Sequence, residues 1–273
     1  MPPKADLHIH TTCSDGKLSP EEAVKLAIER KLSSFAITDH DTLIGYELAK
    51  PFAKKNDVDL IPGVEVTSSF NGRETHILAY YFETETDYFA DFLAAQRKSR
   101  TARLKGIIQK LQDKKVDITY QEIWAQADGA NLGRPHIAQM MIEKGYVSSF
   151  NQAFKLYLSD EKPGGINSSY PDVGGAAVIA HPGRFFSTKE IHTFKEMGID
   201  GVECIHPSHN WKKQLELIEY CEQNDLLKTG GSDFHGSFER ASPKVGIIGI
   251  AQKNVDSMKR MTDQRKKTIL LKN

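Results

Sequence analysis

The sequence contains few cysteines, no surplus of charge of either sign and no long apolar run. Its three cysteines, Cys13, Cys204 and Cys221, are an odd number without paired spacing, which argues against a disulfide framework or a zinc knuckle. The 36 Lys and Arg residues balance 36 Asp and Glu residues. A protein that coats nucleic acid non-specifically would be basic, so any nucleic-acid contact should be confined to a local site.

Segments that would direct the chain to a membrane or out of the cell are also missing. No stretch of 18 apolar residues occurs, and the first residues lack the apolar region of a secretory signal. We therefore expect a cytoplasmic protein with no membrane association. The length of 273 residues exceeds that of most single domains, which predicts one large α/β unit or a core with an insertion. Ten histidines are more than folding alone requires.

The most informative stretch runs Ala-Asp-Leu-His-Ile-His-Thr-Thr-Cys-Ser from Ala5 to Ser14, with Asp15 next. Side chains two residues apart on a strand point to the same face, so His8 and His10 can converge on one ion. Asp15 can reach back to that ion from the following loop. Taken alone, the pair is explained equally well by two hydrogen-bonded histidines on a half-buried strand. Residues further along the chain are needed to distinguish a metal site from a pair of hydrogen-bonded histidines.

Helix and strand signals alternate after this stretch. Ser-Pro-Glu-Glu from Ser19 supplies an N-cap, a first-turn proline and a capping-box acid, and it predicts a helix directly after the histidine pair. A short apolar strand is expected over 34–38. The next helix should cover 43–55 with an interruption at Pro51.

Three polar side chains in this first part have the positions of cation ligands. His40 follows the strand just described, Glu65 is the one acid in an apolar strand over 60–66, and His76 lies near the beginning of a strand over 74–82. A buried carboxylate is rare unless it is paired or bound to a cation. Asp39 and Asp41 flank His40, and they either orient it or cap the following helix.

The alternation stops near residue 83, where only helical patterns follow. Apolar residues at helical spacing predict a long helix over 87–115, and Thr119 with an acid three residues later begins a second helix. Further helices are expected over 135–144 and 149–158. The predicted units are an inserted small helical domain over 83–171 and a discontinuous catalytic core over 1–82 and 172–273.

Strands and helices alternate again in the C-terminal part, and polar side chains stand at the strand ends. These side chains are His181, His206, His209, Asp233 and His235. In a parallel βα barrel the loops after the strand ends build the active site. Histidines that are merely buried and hydrogen-bonded would not collect at equivalent ends of successive strands, so the pattern favours a metal site.

At these positions the sequence resembles the PHP (polymerase and histidinol phosphatase) domain family. The matching segments, in the family's order, are Asp6-Leu7-His8-Ile9-His10 with Asp15, Ile37-Thr38-Asp39-His40, Gly63-Val64-Glu65, His76, Ala180-His181-Pro182-Gly183 and Gly231-Ser232-Asp233-Phe234-His235. Within the family the sequence is similar to the branch of nucleoside 3′,5′-bisphosphate phosphatases and 5′→3′ exoribonucleases. The segments that suggest this branch are Arg134-Pro135-His136, Lys162-Pro163-Gly164, His181-Pro182-Gly183-Arg184 and Ser208-His209.

The resemblance implies an α/β fold, a distorted seven-stranded barrel around three divalent ions, with manganese favoured and iron or zinc as alternatives. It implies that one ion is held by His8, His10, Glu65 and Asp233, that Glu65 bridges to a second ion held by His76 and His181, and that a third is held by Asp15, His40 and His235. Relatives often carry histidine at the position of Asp15. An acid there is a harder ligand and favours manganese or iron.

The resemblance also implies a function. The chain would hydrolyse phosphate esters of nucleotides with a metal-activated hydroxide. It would remove the 3′-phosphate of nucleoside 3′,5′-bisphosphates, release mononucleotides stepwise from short 5′-phosphorylated RNA, or do both. Arg134, Lys162 and Arg184 would bind phosphate oxygens, and His209 with His206 would bind substrate or protonate the leaving group.

Several alternatives stay open at this point. Arg134 and Lys162 are also explained as exposed loop cations that pair with acids. A histidinol-phosphate phosphatase is the second choice among enzymes, and a non-catalytic docking module is the alternative outside them. No obligate protein partner is expected.

Overall fold

The computed structural model describes residues 4–127, 130–158, 174–236 and 245–270, without the side chains of residues 4, 184 and 270. The strands are β1 (Lys4–Ile9), β2 (Ser34–Ile37), β3 (Asp59–Phe70), β4 (Arg73–Tyr80), β5 (Ala176–Ile179), β6 (Gly201–Ile205), β7 (Leu227–Gly230) and β8 (Ile250–Ala251). They form one sheet in the order β7-β6-β5-β4-β3-β2-β1-β8. The α/β class that the sequence predicts is therefore confirmed.

Helices connect and cover these strands. The α-helices of the described residues are α1 (Pro20–Glu29), α2 (Ile44–Lys55), α3 (Asp87–Asp113), α4 (Tyr120–Gln126), α5 (Arg134–Glu143), α6 (Phe150–Ala153), α7 (Thr188–Glu196), α8 (Trp211–Gln223) and α9 (Gln252–Leu270). A π-helical turn, Phe154–Leu158, continues α6, and a 3-10 turn, Pro182–Arg184, follows β5. Capping boxes begin α1 at Ser19 and α4 at Thr119, where the sequence places helix starts, and a further capping box begins α7 at Ser187.

The sheet curves until its two ends nearly meet. Ile9 at the end of β1 pairs in parallel with Phe234, just beyond β7, and the His10 amide donates to the Phe234 carbonyl oxygen at 2.9 Å. Gly231 allows this approach, because a Cβ at that position would lie 2.4 Å from the Cβ of His8. The result is a barrel-like sheet that brings the ends of β1 and β7 side by side.

One expectation about the elements is wrong and another is not confirmed. Among the described residues the sheet has eight strands, so the predicted count of seven is not confirmed. The two-residue strand β8 pairs antiparallel with β1 and is too short to give a sequence pattern. Helix α2 runs through Pro51 without the expected interruption. Pro51 is exposed, so water can bond the carbonyl group that loses its amide donor.

The C-terminal helix α9 is not among the expected elements. It packs against the barrel core through Val255 and Met258, which are 1% exposed, and it buries Thr262. With so few apolar positions over its length, the helix gives only a sparse hydrophobic pattern. Among the helices in the described ranges, none combines the length and the apolar character needed to cross a bilayer.

The helical region between β4 and β5 has an apolar core of its own. Leu104, Ile107, Ile118, Ile137 and Met141 are members of that core. The N-terminal part of α3 packs instead on the barrel, because Phe89 and Leu93 share a cluster with side chains of β3. The division into two domains at residues 83 and 171 stays a prediction, and residues 159–173 lie outside the described ranges.

One asparagine of the helical region contacts the histidine-bearing loops directly. Asn131 donates its side-chain amide to the carbonyl oxygen of His40 at 2.6 Å. Its main-chain amide donates to the carbonyl oxygen of Cys13 at 3.0 Å. The helical region is therefore tied to the end of the barrel that carries the predicted ligands.

Candidate metal centre

Four side chains converge where β1, β3 and β7 end. The Nε2 atoms of His8 and His10 lie 3.1 Å apart. Glu65 Oε2 lies 3.3 and 3.1 Å from them, and Asp233 Oδ1 lies 3.3 Å from each. Ligands about 2.1 Å from one ion are about 3.0 Å apart in an octahedral shell and about 3.4 Å apart in a tetrahedral one. These four atoms therefore have the spacing of ligands around a single cation.

Glu65 has the geometry of a bridging ligand. Its Oε1 lies 2.9 Å from His76 Nδ1 and 3.1 Å from His181 Nε2, whereas Oε2 also faces His40 Nδ1 at 3.2 Å. Burial alone would raise the pKa of Glu65, but the charges of His40, His76 and His8 outweigh burial and hold it well below its ordinary value. The carboxylate therefore remains ionised, with its two oxygens directed at different histidines.

A further group of ligand atoms is formed by His10, Asp15, His40 and His235, whose atoms lie within 4.8 Å of one another. His10 Nδ1, Asp15 Oδ1 and His40 Nδ1 are buried without a hydrogen-bond partner, and they are three of only six such atoms in the described residues. A buried polar atom left unpaired costs about 1–3 kcal/mol. A divalent cation among these atoms would supply the missing partner, so the residues present fit a metal ion.

All of the predicted metal ligands therefore lie in one cluster, but the groups differ in detail from those expected. His10 belongs to the group of Asp15 as well as to the group of His8, and His40 also lies with Glu65 and His76. The distribution of the ligands over individual ions stays a prediction.

Left-handed backbone conformations place two of these side chains. His181 has a φ angle of 31° and Asp233 has one of 49°. Such a conformation costs a residue other than glycine about 1–3 kcal/mol. Both residues come just after a strand end, where the turn keeps their side chains within the cluster.

Glu203 on β6 is a buried acid whose role the sequence reasoning missed. Its Oε1 lies 2.9 Å from His8 Nδ1, and its Oε2 accepts the main-chain amide of His181 at 2.7 Å. A carboxylate on one ring nitrogen orients a histidine and leaves the other nitrogen for a metal. The signal was present in the sequence, because Gly-Val-Glu-Cys at 201–204 repeats the pattern of Gly-Val-Glu-Val at 63–66.

Asp39 supports the loop that follows β1. It accepts the main-chain amide of Thr11 at 2.7 Å, the Thr11 hydroxyl at 2.6 Å and the Ser14 hydroxyl at 2.6 Å. These bonds fix the main chain between His10 and Asp15. Asp39 therefore acts on the cluster through the loop.

Asp41 supports β3 instead. It accepts the main-chain amide of Thr67 at 2.8 Å and pairs with Arg100 at 3.2 Å. The expected alternative that Asp39 or Asp41 caps the next helix is wrong, because Leu43 occupies the N-cap position of α2 without a side-chain hydrogen bond.

His206, one candidate for proton transfer, lies in contact with the cluster. Its Nε2 lies 3.2 Å from Asp233 Oδ2, and its Nδ1 lies 2.8 Å from Ser208 Oγ. The side chain is 6% exposed. The contact orients Asp233, and a direct role in catalysis stays a prediction.

His209, the other candidate, uses both ring nitrogens on the main chain. Nδ1 lies 3.0 Å from the carbonyl oxygen of Cys204, and Nε2 accepts the amide of Gly183 at 3.0 Å. Burial lowers the pKa of His209, which favours the neutral ring that this pairing requires. The hydrogen bonds give His209 a bracing role between β6 and the turn after β5. Its predicted contact with substrate has no support from them.

Arg134 is the first residue of α5 and lines a cavity beside the cluster. Its Nη2 donates to Glu74 Oε1 at 3.0 Å, and its guanidinium lies 5.7 Å from the centre of the Phe154 ring. The alternative explanation expected a pairing with an acid, which is present. The side chain is only 26% exposed, however, and does not lie on an open surface loop.

The other two predicted phosphate ligands are Lys162 and Arg184. Lys162 lies outside the described residues, and so does the side chain of Arg184, whose main chain ends the 3-10 turn after β5. Their contacts with phosphate stay predictions.

The cavity has a volume of about 310 Å³ and lies between the cluster and the helical region. One part of its lining consists of predicted metal ligands, among them Asp15, Glu65 and Asp233. Helices α3 and α5 contribute the arginines Arg100, Arg103 and Arg134 to the rest. An anion that entered this cavity would meet positive charge from both parts once cations were bound.

Comparison with protein families identifies the fold. The model of the PHP domain matches residues 6–158, more than half of the chain. The chain belongs to the PHP domain family. The family resemblance inferred from the sequence is thereby confirmed.

Three relatives of this PHP domain chain are phosphoester hydrolases by name. A 5′-3′ exoribonuclease of Haemophilus influenzae is 34% identical over 86% of this chain and 91% of its own length. A phosphoribosyl 1,2-cyclic phosphate 1,2-diphosphodiesterase of Eggerthella lenta is 30% identical over 89% and 97%. A 3′,5′-nucleoside bisphosphate phosphatase of Chromobacterium violaceum is 28% identical over 86% and 88%. These relatives confirm the expected enzyme class, a phosphoric ester hydrolase.

A solved structure matches the PHP fold over nearly all of the chain. A predicted metal-dependent phosphoesterase from Bifidobacterium adolescentis superimposes with a TM-score of 0.83 at 27% sequence identity. The match covers 96% of this chain and 98% of that one. Sheet and helices therefore share one arrangement in the two proteins.

Glu203 should contribute to metal affinity without being a ligand itself. We expect Glu203→Gln to weaken manganese binding about 10-fold to 100-fold, because the amide no longer holds His8 and the His181 main chain as the carboxylate does. Titration calorimetry measures the change. The matched control is Glu219→Gln on the exposed face of α8, which should bind as tightly as the wild type. Equal affinity in Glu203→Gln and its control would contradict the assignment.

Metal binding should release protons. Burial would lower the pKa of His76 and of His235, but neighbouring carboxylates, Glu65 and Asp15 foremost, outweigh burial and raise both values to about 10. At neutral pH both rings are therefore protonated before metal binds, and a cation must displace those protons. The apparent affinity for manganese should rise as pH increases from about 6 to 9. Calorimetric heats that did not change with the ionisation enthalpy of the buffer would show that no protons leave.

Proposed function

We propose that this chain is a metal-dependent phosphoesterase that hydrolyses phosphate esters of nucleotides. The observation that carries the proposal is the cluster of closely spaced histidine and carboxylate atoms, several of them buried and unpaired, beside an arginine-lined cavity. When bound, divalent ions would activate water and neutralise charge on the phosphoryl and leaving oxygens. No side chain of the protein is then needed as a nucleophile.

The side chains of the protein would hold the ions and position the substrate beside them. We assign a first ion to His8, His10, Glu65 and Asp233, a second to Glu65, His76 and His181, and a third to Asp15, His40 and His235. Manganese is the proposed metal and iron or zinc the alternatives, because carboxylate and imidazole ligands suit all three. Three dications against three carboxylates leave a formal charge of about +3, which attracts a phosphate dianion.

Arg134 is the proposed ligand for phosphate oxygens that the ions do not reach. It lies on the cavity lining, it is largely buried, and a guanidinium can offer two parallel N–H donors to a phosphate. Lys162 and Arg184 are kept as predicted partners of Arg134. His206 would act by orienting Asp233, and His209 by bracing the turn after β5.

The names of the relatives support nucleotide substrates in two forms. One is a nucleoside 3′,5′-bisphosphate, and the other is an RNA that is degraded in the 5′-3′ direction. We infer that the bisphosphate loses its 3′-phosphate and that the RNA is short and 5′-phosphorylated. A ribose cyclic phosphate diester is a second candidate, because a diphosphodiesterase is also 30% identical to the chain. Histidinol phosphate and a non-catalytic docking role remain the weaker alternatives, and the cytoplasm is the proposed compartment.

A parallel assay separates these substrates. The purified protein with manganese would be given adenosine 3′,5′-bisphosphate, a 5′-phosphorylated RNA of several nucleotides, a ribose 1,2-cyclic phosphate and histidinol phosphate. We expect kcat/KM for one of the two nucleotide substrates to exceed the other values at least about 10-fold. Preference for the cyclic phosphate or for histidinol phosphate would replace the nucleotide proposal. The absence of hydrolysis of all four substrates by the metal-bound protein would favour the docking role.

Removal of one predicted ligand should abolish turnover and keep the fold. We expect Asp233→Ala, His8→Ala and Glu65→Ala each to lower kcat at least about 100-fold, because the site loses a cation or its position. Circular dichroism checks the fold, and bound manganese is measured in the same preparations. Asp256→Ala, an exposed acid on α9, is the matched control and should keep full activity. Near-normal turnover by Asp233→Ala would contradict the ligand assignment.

A further inference from the structure

Two arginines of the helical region share one carboxylate at the edge of the cavity. Glu74 on β4 accepts Arg134 Nη2 through Oε1 at 3.0 Å and Arg103 Nη2 through Oε2. The same Oε1 lies 2.9 Å from His76 Nε2. The arginine pair therefore lies directly beside the metal cluster, separated from it by one carboxylate and one imidazole.

The pair carries more positive charge than Glu74 cancels. Two guanidinium groups face one carboxylate, and their side chains are only 18% and 26% exposed for Arg103 and Arg134. Nε of Arg103 is buried and has no hydrogen-bond partner. A guanidinium has five N–H donors, so both side chains retain donors that Glu74 does not use.

The third arginine of the cavity is occupied differently. Nε of Arg100 donates to the Leu132 carbonyl oxygen at 2.8 Å, and Nη1 donates to the Thr67 hydroxyl at 2.7 Å and to Asp41 at 3.2 Å. These contacts join α3 to β3 and to the loop before α5. Arg100 therefore has a structural role, whereas the charge of Arg103 is only partly neutralised and its buried Nε donor has no acceptor.

We propose that Arg103 is a specificity-determining residue, which forms with Arg134 a subsite for a second phosphate of the substrate that is not cleaved. The proposal rests on the proposed function, because it requires a nucleotide with one phosphoryl group at the metal cluster and another at the arginine pair. Nucleoside 3′,5′-bisphosphates and 5′-phosphorylated RNA share this feature. In both, the ester on the 3′ side breaks and the 5′-phosphate stays on the product.

Glu74 fits this proposal as the anion that the pair holds before substrate arrives. A phosphate monoester offers three oxygens, and paired guanidinium groups bind it through several charge-assisted hydrogen bonds. The phosphate joins the two arginines through their unused donors, while Glu74 keeps its contact with His76. A substrate with a single phosphate at the cluster gains nothing from the pair.

The test compares adenosine 3′,5′-bisphosphate with adenosine 3′-monophosphate. For Arg103→Gln we expect kcat/KM on the bisphosphate to fall about 10-fold to 100-fold, mainly through KM, with less than about a 3-fold change on the monophosphate. Calorimetric binding of adenosine 5′-monophosphate to the metal-free protein should weaken about 10-fold as well. Lys98→Gln removes a charge from the exposed side of the same helix, and it should leave both substrates and the nucleotide affinity unchanged.

Arg103→Lys keeps the proposal testable should the glutamine variant fold poorly. Lysine retains the charge that faces Glu74 but loses the planar fork, so the preference for the bisphosphate should fall several-fold with the thermal midpoint unchanged. An equal loss on both substrates, with unaltered binding of the 5′-monophosphate, would make Arg103 a structural residue and overturn the subsite. If the wild type prefers the bisphosphate and Arg103→Gln keeps the same preference, the subsite is overturned while the proposed function stands. A wild type inactive on both nucleotides would overturn the proposed function and the subsite together.

Discussion

The burial of many ionisable side chains at one end of a barrel is the constraint on which the rest of this structure depends. His8, His10 and Glu65 are at most 1% exposed, and ionised groups without water are costly unless opposite charges or cations surround them. Carboxylate oxygens and imidazole nitrogens of the cluster lie about 3 Å from one another. Atoms with lone pairs repel each other at this distance unless protons or cations lie between them. The fold therefore has to supply compensating contacts around the whole cluster, and much of the buried polar content of the protein does so.

These compensating contacts come from side chains that never reach the cluster's centre. Asp6 accepts the main-chain amides of Ser232 and Gly246, each at 2.9 Å, and so holds the segment that carries Asp233 against β1. Burial raises the pKa of Asp6 to about 6 in spite of these bonds. Glu203 orients His8 in the same indirect way. Replacement of Asp6 or Glu203 would disturb the position of the ligands, because their hydrogen bonds go to His8 and to the main chain of the segments that carry His181 and Asp233.

The sequence predicts the cluster better than its surroundings. His40 and His181 each follow a strand with a clear apolar pattern, and the edge at which such strands end is set by local sequence and topology. Strand β8 and helix α9 escaped prediction because two residues form no pattern and because few positions of α9 are apolar. The bonds of His209 to Cys204 and Gly183 depend on tertiary approach, which strand and helix patterns do not report. The candidate ligands could thus be named from local signals, whereas the direction of a ring nitrogen could not.

In this fold the predicted metal ligands and the proposed selectivity residues come from different parts of the chain. The ligands come from the strand ends of the barrel, whereas Arg103 and Arg134 come from helices that pack around an apolar core of their own. Substitutions on those helices would replace the arginines and leave the ligand residues His8 and Glu65 themselves unchanged. Relatives about 30% identical to this chain carry names of different phosphoester hydrolases, which is what such a division allows. The helical region is therefore the part of the chain in which substrate preference can diverge while the cluster stays constant.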